Sequence, residues 1–563
     1  MKLAEHQTRL TILVVFFGLF GLGLLARLFS LTVLDRAFLQ HQGDARSLRT
    51  VIIPTFRGII VDRLGEPLAV STPLQSLWIH PQNFKASNQQ KNQLAKLLGL
   101  SLKEIDKSLF LHQKKEFFYL KRQVTPQIAE KVLTLKIAGL HAQQEFKRYY
   151  PEGESMAQVL GFTNIDDKGI EGIELAYDSW LNGINGQKRV LKDRTGRIIE
   201  ELGIIREPRA GHGIQLSLDR RIQFFAYNEL VKTLEKFEAQ SGTVVVLDAS
   251  NGEVLAVANA PSFNPNLREQ YSYDTYRNKA LTDTFEPGSV MKPFAIASAL
   301  ESGHFKPNSI IDTRPSTMFV QGHIIRDVHN YGVLDVTGVL RNSSNVGVSK
   351  MVLTSPPEQL IDLMIRCGIA QRTETNYPGE AEGAIVKPNQ AKPFVLATLS
   401  FGYGVSSTAL QIAKAYSVFA NHGNIMPVSL LHNPEVAKGH QVMKPETADT
   451  LLKMLEAVVL DGTGKSAQVP GYRVAGKTGT ALMAGKKGYS DKKYISSFVG
   501  IAPVSNPRII VAVFINNPNI HKGYYGAAVA APLFSKVMEL SLRLLNVPYD
   551  NEEQLSTAEK LVQ

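Results

Sequence analysis

From Leu10 to Ala26 the chain reads LTILVVFFGLFGLGLLA, seventeen residues without a charge. A run of that length lies at the lower end of what crosses a bilayer as a helix. After Arg27 comes Leu28 to Leu34 (LFSLTVL), so a helix over 10–34 spans the membrane if Arg27 carries its charged head out to the interface. Lys2 and Arg9 before the run also fit a cleaved signal peptide. However, the run closes on Leu24 and Ala26, not on a pair of small residues, and no cysteine follows for lipid attachment. The expectation is an uncleaved single-span anchor. Its orientation is not set by charge: Arg27, Arg36, Arg46 and Arg49 follow the span, against Lys2 and Arg9 before it, and long domains translocate largely regardless of charge. No second stretch of this kind recurs, so the chain after residue 35 reads as soluble.

That remainder is long enough for more than one domain. With 563 residues and 44% hydrophobic side chains, the chain is neither a disordered tail nor a disulfide-stapled mini-domain. The lone Cys367 cannot form an internal disulfide or a zinc site by itself, and it fits either redox compartment. The formal charge of +11 suits nucleic acid, an anionic membrane surface or a polyanionic wall alike. Residues 51–72 read as short strands and turns, 85–140 as largely helical, and 161–205 as Gly-punctuated; the polar stretch 206–213 (REPRAGHG) reads as a boundary. Beyond it the pattern predicts a strand at Gln215–Leu218 and a helix at Arg221–Phe237. A buried strand at Gly242–Asp248 then turns at Asn251-Gly252 into Glu253–Ala258, and another apolar strand follows at Arg508–Ile515. This is the pattern of an α+β domain with an antiparallel sheet. From Asp550 the chain is polar.

Three motifs could carry chemistry. In Ser289-Val-Met-Lys292 a hydroxyl and an amine three residues apart share a helix face, where a neutral amine can take the hydroxyl proton. Roughly two S-x-x-K tetrads arise by chance in a chain this size, and Ser490-Asp-Lys-Lys493 is a second, in a charged loop that would not desolvate its lysine. Pro293 is compatible with the first tetrad only inside the first helical turn. In Ser343-Ser344-Asn345 a hydroxyl and a carboxamide could point into a cleft as a relay and an amide holder, or the stretch could simply cap a helix. Lys477-Thr478-Gly479-Thr480 fits a strand edging a cleft, with Gly479 allowing close approach and Lys477, Thr478 and Thr480 offering donors to a carboxylate. The same stretch, from Gly471 to Thr478, also matches the phosphate loop G-x-x-x-x-G-K-[ST]. A phosphate loop follows a buried strand and opens a long helix; SAQVP before it and Gly479, Gly485 and Gly488 after it argue against both. No His lies in these motifs, G-x-S-x-G is absent, and no H-E-x-x-H or Cys/His cluster implies a metal.

Order decides what single motifs cannot. S-x-x-K, then S-x-N 54 residues on, then K-T-G a further 134 on, is the arrangement of serine penicillin-recognising enzymes. Here the chain resembles the class B penicillin-binding proteins, and among them the cell-division D,D-transpeptidases. Arg57-Gly58-Ile-Ile-Val-Asp62-Arg63-Leu-Gly65-Glu-Pro-Leu-Ala69 resembles the family's first box after the anchor, and Gly169-Ile-Glu171-Gly172-Ile-Glu174 with Leu181-Asn-Gly183 a later one. Glu286-Pro-Gly-Ser289, Gly402-Tyr-Gly404-Val-Ser406 and Ser497-Phe498-Val-Gly500-Ile-Ala-Pro503 resemble its active-domain phrases. Arg277-Asn278-Lys279 departs from the family's Asn-Arg-Ala.

The resemblance implies a cytoplasmic tail at 1–9, an anchor at 10–34, a linker at 35–56, a non-catalytic pedestal of the dimerisation type at 57–205, a penicillin-binding transpeptidase domain at 214–545 and a polar tail at 546–563. It implies an antiparallel sheet with helices on both sides in the catalytic domain. The activity implied is D,D-transpeptidation of peptidoglycan stem peptides through an acyl-enzyme that β-lactams also form. In that scheme Ser289 is the nucleophile and Lys292 its base, Ser343 and Lys477 relay the proton, and Asn345 orients Lys292 and the substrate amide. The N–H groups of Ser289 and Thr480 form the oxyanion hole, while Thr478, Gly479 and Thr480 bind substrate. No cofactor, metal or nucleic acid is implied. The partners implied are a membrane glycosyltransferase of the FtsW type and other division proteins, with the catalytic domain periplasmic at the inner membrane of the division septum. An elongation-specific transpeptidase and a non-catalytic penicillin-binding sensor or division scaffold are the alternatives.

Overall fold

The structure is a computed structural model that describes residues 2–193, 198–267, 272–433, 438–483, 488–489 and 492–551. Residues 552–563 of the expected polar tail lie outside this set. Two compact units divide the chain discontinuously: Met1–Phe56, Thr72–Lys147 and Gly183–Gly211 form one, and Arg57–Ser71, Arg148–Asn182 and His212–Gln563 the other.

In the first unit the apolar run forms a helix at Lys2–Phe29 that passes directly into a wider turn at Ser30–Leu34. His6–Leu34 is long and apolar enough to cross a membrane, and its side chains lie exposed. Leu48–Ile53, Gly186–Lys192 and Ile198–Arg206 then build a three-stranded antiparallel sheet. The stretch 85–140 is not wholly helical. Helices at Asn88–Leu98 and Leu102–Leu111 each start on a capping box, Ser87 with Gln90 and Ser101 with Glu104. Phe118–Val124, however, is a strand paired antiparallel with Pro67–Ile79. The aromatic and β-branched residues of FYLKRQV find backbone partners in a distant strand, which no local pattern reveals. Leu77, Ile79, Leu94, Leu98, Ile105, Val132 and Leu140 form the core of this unit.

The second unit is built on a five-stranded antiparallel sheet. Its parts in chain order are α1 (Arg220–Phe237), β1 (Ser241–Asp248), β2 (Val254–Ala260), α2 (Lys292–Glu301), α3 (Val336–Arg341), α4 (Asn345–Val352), α5 (Pro445–Leu460), β3 (Ala475–Leu482), β4 (Tyr494–Ala502), β5 (Ile509–Asn516) and α6 (Gly526–Leu544). The spatial order is β2-β1-β5-β4-β3, which leaves β3 at an edge. Strand periodicity separates two cores. Val244 and Val246 face one way, packing with Ile222 and Leu230 of α1 and Phe534 and Val537 of α6, while Val245 and Leu247 face Phe294 of α2 and Tyr416 and Phe419. Both faces of β1 are therefore dry, and burial of each such aliphatic side chain contributes about 1.5–3 kcal/mol. This is why the strand reads as a continuous apolar run rather than an alternation.

The segments 57–69 and 169–174 meet in this unit. Arg57 reaches Glu174 and Asp178, each at 2.6 Å, and Arg148 takes the other oxygen of Glu174 at 2.6 Å, all essentially without solvent except Asp178. Breaking one partner of such a buried set strands a charge, so its residues fix how these segments fit together more than they add net stability. Residues 546–551 are also tied in: Tyr472 donates to the Val547 carbonyl at 2.7 Å, and Asp550 accepts from the Arg473 N–H at 2.7 Å.

Candidate active site

Ser289 lies in a 3-10 turn, Gly288–Met291, that runs straight into α2. Pro293 is the second residue of α2, inside the first turn, where its missing N–H would have had no intrahelical partner. Two glycines let this turn sit where it does. Gly402 has φ +87°, and a Cβ there would come within 2.1 Å of the Gly288 carbonyl oxygen; Gly288 has φ +66°, and its Cβ would come within 2.9 Å of Ala481 on β3. From below, the buried Tyr416 hydroxyl donates to the Val290 carbonyl at 2.7 Å. Ser289 is half-buried and Lys292 fully buried.

Ser343 and Asn345 flank the junction between α3 and α4, and the cap and the cleft-facing readings of this motif coexist. Ser344 is the N-cap of α4, accepting from the Gly347 N–H at 2.8 Å. Ser343, at φ +59°, turns its hydroxyl to the lysines. Lys292 Nζ lies 2.5 Å from the Ser343 carbonyl oxygen and 3.0 Å from its Oγ, and Lys477 Nζ lies 3.0 Å from the same Oγ. Asn345 instead donates its amide to the Arg326 carbonyl at 2.9 Å, so Ser343, not Asn345, holds Lys292 here. Among the described residues no hydrogen bond joins Ser289 to Lys292.

Lys477, Thr478, Gly479 and Thr480 lie on β3, paired with β4 on one side only. Among the described residues no strand pairs with the outer edge, where the Leu482 N–H donates to the Tyr403 hydroxyl at 3.0 Å; an edge of this kind can take an extended peptide as a further strand. A Cβ at Gly479 would sit 2.2 Å from Ser497 Oγ and 3.1 Å from Val290 Cγ1, so glycine keeps β3 tight against the Ser289 turn. Thr480 Oγ1 accepts from the Gly526 N–H at 3.0 Å. Because Lys477 sits within a strand that continues to Leu482 where a phosphate loop would open a helix, the phosphate-loop reading of Gly471–Thr478 does not hold. Ser490 lies outside the described residues.

Burial governs the electrostatics. It holds Lys292 well below the ordinary lysine value, assisted by the nearby charge of Lys477 and opposed by Asp327. It brings Lys477 down to about 7. Two amines that lose protons readily thus converge on one hydroxyl, an arrangement suited to moving a proton between a nucleophile and a leaving group.

Sequence reasoning missed Asp327. Its Oδ2 accepts from the Ser344 hydroxyl at 2.5 Å, and its Oδ1 from the N–H groups of Asn345 at 2.5 Å and Val346 at 3.0 Å. This carboxylate pins the Ser343–Asn345 turn, yet it sits alone after a short hairpin strand, His323–Arg326, with no motif to mark it. Glu286 accepts from the Gly404 N–H at 2.8 Å and the Tyr489 hydroxyl at 2.7 Å, which joins the Glu286–Ser289 segment to Gly402–Ser406. At the departure Arg277-Asn278-Lys279, Asn278 is buried and accepts from Asn259 at 2.9 Å, while Arg277 pairs with Asp283 at 3.2 Å. Among the described residues no three His, Cys, Asp or Glu side chains gather to hold a metal.

Residues 242–539 match the family model of the penicillin-binding protein transpeptidase domain, and residues 52–216 that of the penicillin-binding protein dimerisation domain. The chain belongs to the class B penicillin-binding proteins. This penicillin-binding protein is 42% identical over 552 residues to the probable peptidoglycan D,D-transpeptidase PbpC of Pseudomonas aeruginosa, covering 98% of each chain. It is 40% identical over 543 residues to the peptidoglycan D,D-transpeptidase FtsI of Escherichia coli K12, covering 95% of this chain and 91% of that one. Among solved structures it is similar to penicillin-binding protein 3 of Mycobacterium tuberculosis complexed with aztreonam. There the TM-score is 0.69 at 27% identity, over 89% of this chain and 98% of the other.

Proposed function

We propose that this penicillin-binding protein is a serine D,D-transpeptidase of peptidoglycan, acting as follows. Ser289 Oγ attacks the carbonyl between the two terminal D-alanines of a stem peptide while Lys292 takes its proton. The oxyanion rests on the N–H groups of Ser289 and Thr480. The C–N bond then breaks, and the proton reaches the departing D-alanine nitrogen through Ser343 and Lys477. Thr478 and Thr480 hold the terminal carboxylate, Asn345 the substrate amide, and Gly479 keeps β3 close enough to the Ser289 turn for the substrate to bridge them. An amine of a neighbouring stem attacks the acyl-enzyme, gives up a proton and releases Ser289 with its hydroxyl restored. A β-lactam enters the first step and stays as the acyl adduct.

The observation that carries the proposal is the pair of buried amines, Lys292 and Lys477, each 3.0 Å from Ser343 Oγ beside the Ser289 turn and the outer edge of β3. The boundaries proposed are a pedestal at 57–205 and a transpeptidase domain at 214–545; the family matches at 52–216 and 242–539 overlap these spans, while 57–71 and 148–182 group with the unit of the catalytic sheet. His6–Leu34 anchors the chain in the inner membrane with the catalytic domain in the periplasm, and the FtsI relative supports work at the septum, beside a glycosyltransferase of the FtsW type. Depletion with complementation tests the reading. Filaments that divide again with wild type but not with a stably folded Ser289→Ala are expected. Rounded cells would indicate elongation, and rescue by Ser289→Ala would reject catalysis.

A further inference from the structure

The loop after α5, Asp461-Gly462-Thr463-Gly464, belongs to none of the motifs, yet it is built to deliver one hydroxyl to the active-site strand. Thr463 Oγ1 lies 2.8 Å from Thr478 Oγ1. Both flanking residues are glycines in close quarters, and Gly462 has no room for a side chain. A Cβ at Gly462 would come within 2.7 Å of the Arg341 carbonyl oxygen, and one at Gly464 within 3.1 Å of the Val458 carbonyl oxygen. The loop is clamped to the end of α3, the helix that leads into Ser343. The Thr463 N–H donates to the Arg341 carbonyl at 3.4 Å, and Arg341 Nη1 pairs with Asp461 Oδ2 at 3.1 Å. One short loop therefore touches both the segment that carries Ser343 and the strand that carries Thr478.

We propose that Thr463 is a positioning residue for the carboxylate subsite, donating its hydroxyl proton to Thr478 Oγ1 so that the Thr478 proton stays free for the anionic end of the substrate. The proposal rests on the reading of Thr478 as a carboxylate holder. A hydroxyl has one proton and two acceptor positions. Thr478 Oγ1 can accept from Lys477 Nζ, 3.4 Å away, and from Thr463. With both acceptor positions taken by inward donors, its only remaining capacity is to donate outward. A carboxylate, which only accepts, fits that capacity; a neutral ester accepts far more weakly.

The test compares Thr463→Val and Thr463→Ser with wild type as full chains, measuring second-order acylation by benzylpenicillin and by its methyl ester in competition with a fluorescent penicillin. A single hydrogen bond of this kind predicts that Thr463→Val slows benzylpenicillin by about three- to tenfold while the ester changes less than about twofold, and that Thr463→Ser restores both. Equal slowing of both probes, no slowing of either, or failure of Thr463→Ser to restore the rate overturns the proposal. Should Thr463→Val lose its thermal transition, Thr463→Ala carries the same comparison. Ser289→Ala runs alongside: labelling that survives it would overturn the acyl-enzyme reading itself, whatever Thr463 does.

Discussion

Replacing Lys477 by methionine should make the protein more stable while abolishing its acylation. Lys477 is wholly buried, and its ammonium loses its proton near 7 instead of at the ordinary 10.5. At 1.36 kcal/mol per tenfold change in proton affinity, holding it charged inside the fold costs about 5 kcal/mol below pH 7. Methionine, of similar length and without charge, removes that cost. It also forfeits the hydrogen bonds to Ser343 Oγ at 3.0 Å and to the Thr478 carbonyl at 3.1 Å, each worth about 1 kcal/mol. The expected net gain is about 3 kcal/mol at pH 6. Between about 7 and 10.5 the unfolded chain keeps a lysine proton that the folded chain has released. Wild-type stability therefore climbs relative to the variant by about 1.4 kcal/mol per pH unit, and the two become equal near about pH 9. Thermal or urea unfolding of the full chain in detergent at pH 6, 7.5 and 9, with fluorescent-penicillin labelling alongside, measures both properties. A variant less stable than wild type at pH 6, or a difference that does not change with pH, would refute the reasoning that Lys477 is held against its charge.

Asp327→Ala should slow acylation by about ten- to a hundredfold, because three donors of the Ser343–Asn345 turn lose one carboxylate. Asp327→Asn, which keeps one acceptor oxygen for the two N–H groups, should fall between it and wild type in stopped-flow acylation. Gly402→Ala should cost about 3 kcal/mol or more and empty the penicillin site, since its Cβ would lie 2.1 Å from the Gly288 oxygen at φ +87°; unfolding midpoints and labelling report both. Acylation by wild type should rise with pH as Lys292, held well below the ordinary lysine value by burial, gives up its proton. A rate flat from about pH 5 to 9 would count against Lys292 as the base.

Much of this was legible in the sequence because it is local or periodic. The strands expected at Gly242–Asp248 and Arg508–Ile515 are Ser241–Asp248 and Ile509–Asn516, since a strand buried on both faces writes itself as an apolar run. The condition placed on Pro293 follows from backbone chemistry and is met at the second residue of α2. What stayed hidden depends on distant chain. Phe118–Val124 is a strand only because Pro67–Ile79 offers it a ladder. Asp327 has meaning only beside Ser344, seventeen residues on, and Thr463 only beside Thr478. Asn345 turns its amide to the Arg326 carbonyl, a choice that its place in a three-residue motif does not encode.

The central claim is that Ser289 becomes covalently attached. Labelling the full chain with a fluorescent penicillin, followed by intact mass and peptide mapping, tests it most directly. The account predicts a single adduct on the Ser289 peptide, absent in Ser289→Ala and unchanged in Ser490→Ala. An adduct that persists in Ser289→Ala, or maps to another serine, would contradict it.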